Sequence, residues 1–146
     1  MTEQTEDVLI TRVFDSPRAQ VFKAWTDPDE IAGWYGPEHF DAPRDKIRVD
    51  LRVGGRWELT MVQRDGTEFP IGYDILELVE PELLVLRSDP MPQVGMPDPT
   101  VVRVEFHDHG DKTRMTLTDG PYPAGLSYAE AGWNSSFDKM AVLLAE

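Results

Sequence analysis

The chain has 146 residues and a mass of 16.6 kDa, enough for one core and too few for two domains of ordinary size, so a single domain over 1–146 is expected. Fourteen Lys and Arg against 27 Asp and Glu leave a formal charge of −13, which repels a phosphate backbone and argues against nucleic acid as a partner. Cysteine is absent, which removes disulfides, thiolate nucleophiles and Cys-bound zinc and suits a reducing, cytoplasmic compartment. The first seven residues are acidic and polar, without the basic and apolar regions of an export signal. No apolar stretch approaches membrane-spanning length, so no membrane insertion is expected.

The β-branched, apolar run 8–14 predicts a strand that ends at Asp15-Ser16-Pro17, where Ser16 can cap a helix and Pro17 suits its first turn. Val21, Phe22 and Trp25 share one face of that helix. Asp27-Pro28-Asp29-Glu30 restarts a second, with Asp27 as cap and Glu30 three residues on, and it should stop by Gly33 or Gly36-Pro37. From Lys46 the period changes to two. Ile47, Val49 and Leu51 alternate with Arg48, Asp50 and Arg52, which predicts a half-buried strand running to a bend at Gly54-Gly55.

Trp57, Leu59 and Met61 alternate in the same way up to Asp65-Gly66, a dipeptide suited to a tight hairpin turn, and Phe69, Ile71, Tyr73 and Ile75 mark the partner strand. Glu80-Pro81-Glu82 turns into a strand over 83–87, and Val102, Val104 and Phe106 pair through Gly110-Asp111 with Met115 and Leu117. Ser127-Tyr128-Ala129-Glu130 reads as a capping box opening a helix over 127–145, in which Ala129, Trp133, Phe137, Met140 and Leu144 recur at helical spacing. Such a helix must bury its stripe against the inward faces of the preceding strands. The expected class is α+β: a curved antiparallel sheet wrapped around a long C-terminal helix, with two short helices after the first strand.

Chemistry-bearing residues are sparse. His107 and His109 share a strand face with Glu105, a spacing that could offer ligands to a metal, but Val102, Val104 and Phe106 claim the inward face and leave the histidines in solvent beside a hairpin. No metal, cofactor or catalytic residue is therefore assigned. His39 has no sequence-local base or nucleophile, and Gly54-Gly55 lies between strands without a following helix to hold phosphate. The remaining candidates for a ligand-binding site are Trp34, Tyr35, Trp57, Met61, Phe69, Tyr73, Met115, Trp133, Asn134 and Phe137. All fall on inward faces or in the loop above them, where plain core packing is the competing reading. Pro90, Pro92, Pro97 and Pro99 preclude regular structure while Met91, Val94 and Met96 are apolar. Segment 89–100 and loop 34–37 are thus expected to form the rim of any cavity.

Phe14-Asp15-Ser16-Pro17, Ala24-Trp25-Thr26-Asp27-Pro28, Trp34-Tyr35-Gly36-Pro37, Val53-Gly54-Gly55-Arg56-Trp57, Asp65-Gly66, Glu80-Pro81-Glu82-Leu83 and Gly132-Trp133 resemble, in order, the activator of heat-shock-protein-90 ATPase homologue-like family. That family belongs to the START-like, birch-pollen-allergen-like (SRPBCC) superfamily. The resemblance implies a helix-grip fold with a cavity between sheet and C-terminal helix, and it carries no catalytic motif to transfer. It points to a non-catalytic binding module for a small hydrophobic or amphipathic ligand. The alternatives are a cavity enzyme of the cyclase or isomerase type, in which a buried acid or Tyr73 moves a proton, and a stress-linked co-chaperone-like protein. A homodimer or a chaperone contact is left open.

Overall fold

The change of hydrophobic period along the sequence produces eight strands and three α-helices in a computed structural model that describes residues 5–90, 98–123 and 128–145. In chain order they are β1 (Thr5–Phe14), α1 (Arg18–Thr26), α2 (Pro28–Ile31), β2 (Phe40–Asp41), β3 (Arg48–Val49), β4 (Arg56–Gln63), β5 (Glu68–Val79), β6 (Leu83–Ser88), β7 (Val101–His109), β8 (Lys112–Pro123) and α3 (Tyr128–Leu144). All strand pairs are antiparallel. The sheet runs β1-β8-β7-β6-β5-β4-β2, with β3 beside β4. None of the described helices is long and apolar enough to cross a membrane.

Register follows the alternation. Trp57, Leu59 and Met61 lie opposite Tyr73, Ile71 and Phe69, and Phe106 and Val104 lie opposite Met115 and Leu117, so each inward residue meets another across the ladder. The β4–β5 hairpin closes through Gln63 N–H to the Thr67 carbonyl at 2.8 Å, with Gly66 at φ 92°, a conformation other residues enter at a cost.

Two local expectations are corrected. Ser16 does not cap α1: the helix starts at Arg18 with Pro17 in the capping position and no side-chain cap bond. Ser16 is instead buried against β8, its carbonyl accepting from Thr113 Oγ1 at 2.7 Å. Asp27 does cap α2, accepting from the Asp29 amide at 3.0 Å. The strand expected from Lys46 to Arg52 shrinks to Arg48–Val49, preceded by a 3₁₀ turn over Arg44–Lys46. The reason is that the chain turns directly after Asp50, with Arg52 N–H bonding the Asp50 carbonyl and Gly55 N–H the Arg52 carbonyl. The bend therefore starts before the glycines, and Leu51 is exposed.

Trp133, Phe137 and Met140 of α3 are buried against the concave face of the sheet; Ser127 lies outside the described residues. The core centres on stacked indoles. Trp25 and Trp34 meet edge-on with ring centroids 4.8 Å apart, and Trp133 stacks on Phe137 at 5.6 Å. Every tryptophan N–H has an acceptor, as burial of an indole requires. Trp34 donates to the Ala24 carbonyl at 2.7 Å, Trp57 to the Trp25 carbonyl at 2.8 Å, Trp25 to Met115 Sδ at 3.3 Å and Trp133 to Asp119 Oδ2 at 2.8 Å.

Candidate functional site

The first half of α3 does not fill the sheet beneath it. Its residues there are small: Ala129, Ala131, Gly132, Ser135 and Ser136 line a cavity of about 550 Å³, within the size range of small-molecule sites. The sheet contributes Met61 from β4, Phe69, Ile71 and Tyr73 from β5, and Asp119 and Tyr122 from β8; the connection between α2 and β2, with Phe40 of β2, contributes Tyr35, Pro37, Glu38 and Phe40. Trp133 completes the wall from α3. In the second half of α3, Phe137 and Met140 are fully buried, so large side chains close one end of the sheet and small ones leave the other open.

Of the ten residues singled out from the sequence, Tyr35, Met61, Phe69, Tyr73 and Trp133 border this cavity. Trp34, Trp57, Met115 and Phe137 do not: each is 0–1 % exposed and packed in the aromatic core. Met115 and Trp57 bond to Trp25, and Trp34 lies against Phe137. Asn134 does not border the cavity either; its backbone carbonyl accepts from Arg12 Nη1 at 3.3 Å, on the flank of α3 facing β1.

The sequence reading missed Asp119 and Tyr122. Asp119 is only 2 % exposed. Its Oδ2 accepts from Trp133 Nε1 and from the Tyr122 hydroxyl, whereas Oδ1 is buried with no hydrogen-bond partner among the described residues. Burial raises the Asp119 carboxyl above its ordinary range, opposed by hydrogen bonding from Tyr122, Trp133 and Thr100 and reinforced by the charge of Asp7. Burial likewise pushes the Tyr35 phenol up to about 12 and Tyr73 well above its usual value. All these phenols stay protonated near neutrality and act as hydrogen-bonding groups rather than charges. The signal for Asp119 was in the sequence: Met115, Leu117 and Asp119 share one phase of a period-two strand.

One wall is tied to α3. The Glu38 amide donates to Ser135 Oγ at 2.7 Å, and Lys139 Nζ donates to the Phe40 and Pro37 carbonyls at 2.9 and 3.3 Å. Partial burial there lowers the Lys139 ammonium. At the other expected rim, Arg56 grips Asp89 through two bonds of 2.9 and 2.6 Å and also reaches Asp74 and Glu58. Asp89 N–H bonds the Gly72 carbonyl at 2.8 Å. The near end of the Pro-rich segment is therefore fixed to the sheet; residues 91–97 lie outside the described residues.

His107 sits 3.7 Å from Glu105 and His109 is exposed. Among the described residues no group of three or more His, Asp or Glu is placed to hold a metal.

A curved antiparallel sheet gripping a long C-terminal helix above an internal cavity defines a helix-grip, START-like protein. Within that class, the chain belongs to the family described as activator of Hsp90 ATPase homolog 1-like protein, whose model matches residues 15–145. No curated protein matches the sequence. Solved structures do. Protein CV1439 from Chromobacterium violaceum is 23 % identical with a TM-score of 0.84, the match covering 96 % of this chain and 97 % of that one. Protein NE0264 from Nitrosomonas europaea is 22 % identical with a TM-score of 0.81, covering 95 % and 94 %. An AHSA1-like protein from Aeromonas hydrophila is 26 % identical with a TM-score of 0.76, covering 96 % and 94 %. At identities this low the likeness is one of fold, and function must come from the site.

Proposed function

We propose that the protein is a binding module that holds a small hydrophobic or amphipathic ligand between the sheet and the first half of α3. The observation that carries this reading is the cavity itself: about 550 Å³ walled by Tyr35, Phe40, Met61, Phe69, Tyr73 and Trp133, with few polar groups among them. Such a concave, mostly apolar space with a handful of convergent hydrogen-bonding groups is the general form of a small-molecule site. Titration with N-phenyl-1-naphthylamine, a neutral fluorescent probe, together with native mass spectrometry of the purified protein, tests it. The expected result is saturable, one-to-one enhancement of probe fluorescence; no binding by probe and no co-purified molecule would end the reading.

One observation favours a second reading, proton transfer on the bound ligand. Asp119 is a buried acid with a raised carboxyl, hydrogen-bonded to Tyr122 at the cavity wall, and displaced titrations of this kind concentrate at catalytic sites. This reading requires turnover of some cavity-bound compound that Asp119→Asn abolishes while binding persists.

A further inference from the structure

The charge around the cavity is one-sided. Its ionisable lining residues other than tyrosine are Asp119 and Glu38, and no Lys or Arg borders it among the described residues. The nearby cation, Lys139, is committed to the carbonyls of Pro37 and Phe40. Six aromatic residues line the same space: Tyr35, Phe40, Phe69, Tyr73, Tyr122 and Trp133. Aromatic faces present negative charge and attract cations, most strongly where water is excluded. A carboxylate ligand would find no countercharge, whereas Asp119 on the cavity wall offers an acidic group to a ligand N–H.

Resting on the reading of this cavity as a ligand site, the geometry points to a ligand whose polar end is a protonated amine, seated against the aromatic rings with an N–H directed at Asp119. The hydrocarbon part then occupies the space bounded by Met61, Phe69 and Ile71. The arrangement rejects fatty-acid-like anions. The groups that face Asp119 fit this assignment: Tyr122 and Trp133 donate to its other oxygen, Tyr35 and Tyr73 lie near it as neutral phenols, Thr100 stands beside it, and the closest charge, Asp7 on β1, is also negative. A bound ammonium supplies the opposite charge that this environment lacks. It should therefore pull the Asp119 carboxyl back down toward its ordinary range.

Three compounds with one ring system separate the possibilities: 1-naphthylmethylamine, 1-naphthylmethanol and 1-naphthoic acid, each competing against N-phenyl-1-naphthylamine at pH 7. The amine is expected to bind about tenfold tighter than the alcohol, and the alcohol tighter than the acid. Asp119→Asn should remove the preference, so that amine and alcohol bind that variant equally. If the acid competes as well as the amine, or the wild-type protein shows no preference for the amine over the alcohol, the assignment is overturned while the cavity reading stands. Because that comparison uses the unaltered protein, it holds even where the variant does not fold. Failure of the neutral probe itself to bind overturns both.

Discussion

Gly132 allows binding and stability to be pulled apart. It lines the cavity from the middle of the first half of α3, and a Cβ placed on it meets, beyond its own helix backbone and chain neighbours, no heavy atom of the described residues within 4 Å. Glycine inside a helix costs about 0.5–1 kcal/mol relative to alanine. Gly132→Ala should therefore raise stability by about that amount in urea denaturation, with the slope against denaturant unchanged. Gly132→Leu keeps most of the helix gain and projects four carbons into the open space. A ligand denied burial of even two methylenes forfeits about 1.6 kcal/mol, more than a tenfold loss of affinity. The leucine variant should thus be at least as stable as the wild type and bind N-phenyl-1-naphthylamine at least about tenfold more weakly. A core substitution cannot give that pair of results, since it would lower both quantities together. The reasoning is refuted if Gly132→Ala is less stable than wild type, which would mean that the space is not open, or if Gly132→Leu binds the probe undiminished.

Burial raises the Asp119 carboxyl, so between its ordinary 3.8 and the folded value the native chain holds more protons than the unfolded one. Wild type should lose stability relative to Asp119→Asn, by up to about 1.4 kcal/mol per pH unit, as pH rises through that window; a flat or rising difference between their urea curves would contradict this. Asp74, held low by Arg56 and Arg87, works in the opposite sense below 3.8 and cancels in the difference. Met115→Leu nearly conserves volume but strips the acceptor from the Trp25 indole at 3.3 Å, and should cost about 1–3 kcal/mol by thermal or urea denaturation. A neutral outcome would show that the sulfur does not hold the indole. Lys139→Met cuts the two bonds to the Pro37 and Phe40 carbonyls, and hydrogen exchange should then speed up at the amides of 38–41 without a change in β7 or β8; unchanged exchange would mean the wall is held otherwise.

The meander and the helix were legible because each inward residue repeats with the period of its element: Trp57, Leu59 and Met61 at two, Trp133, Phe137 and Met140 at three and four. The division of the aromatic set into core and cavity was not legible. Trp57 and Tyr73 are direct cross-strand neighbours with ring centroids 5.4 Å apart, yet one is sealed in the core and the other borders the open space. That difference is set by what α3 and the connection before β2 place above each ring, and these are contacts remote in sequence. Ser16 and the segment 46–52 went astray for a related reason. The local cap and alternation signals gave way to other bonds, from Thr113 to the Ser16 carbonyl and, in the turn after Asp50, from Arg52 to the Asp50 carbonyl.

The cavity does not read as a defect of packing, because two independent features that cost stability converge on it. One is the run of small residues on α3, with Gly132 facing open space where a larger side chain would add contacts. The other is Asp119, placed where the strand phase calls for an apolar residue such as Met115 or Leu117 and left with one buried oxygen unpaired, a condition worth about 1–3 kcal/mol. Both are large against the roughly 5–15 kcal/mol that holds a domain together. Elsewhere in the core the same chain satisfies the indoles of Trp25, Trp34 and Trp57 and packs Trp34 and Phe137 to full burial. Departures from good packing that meet at one space, small residues above it and a buried acid in its wall, are what a ligand site requires and what a stability-driven core would eliminate.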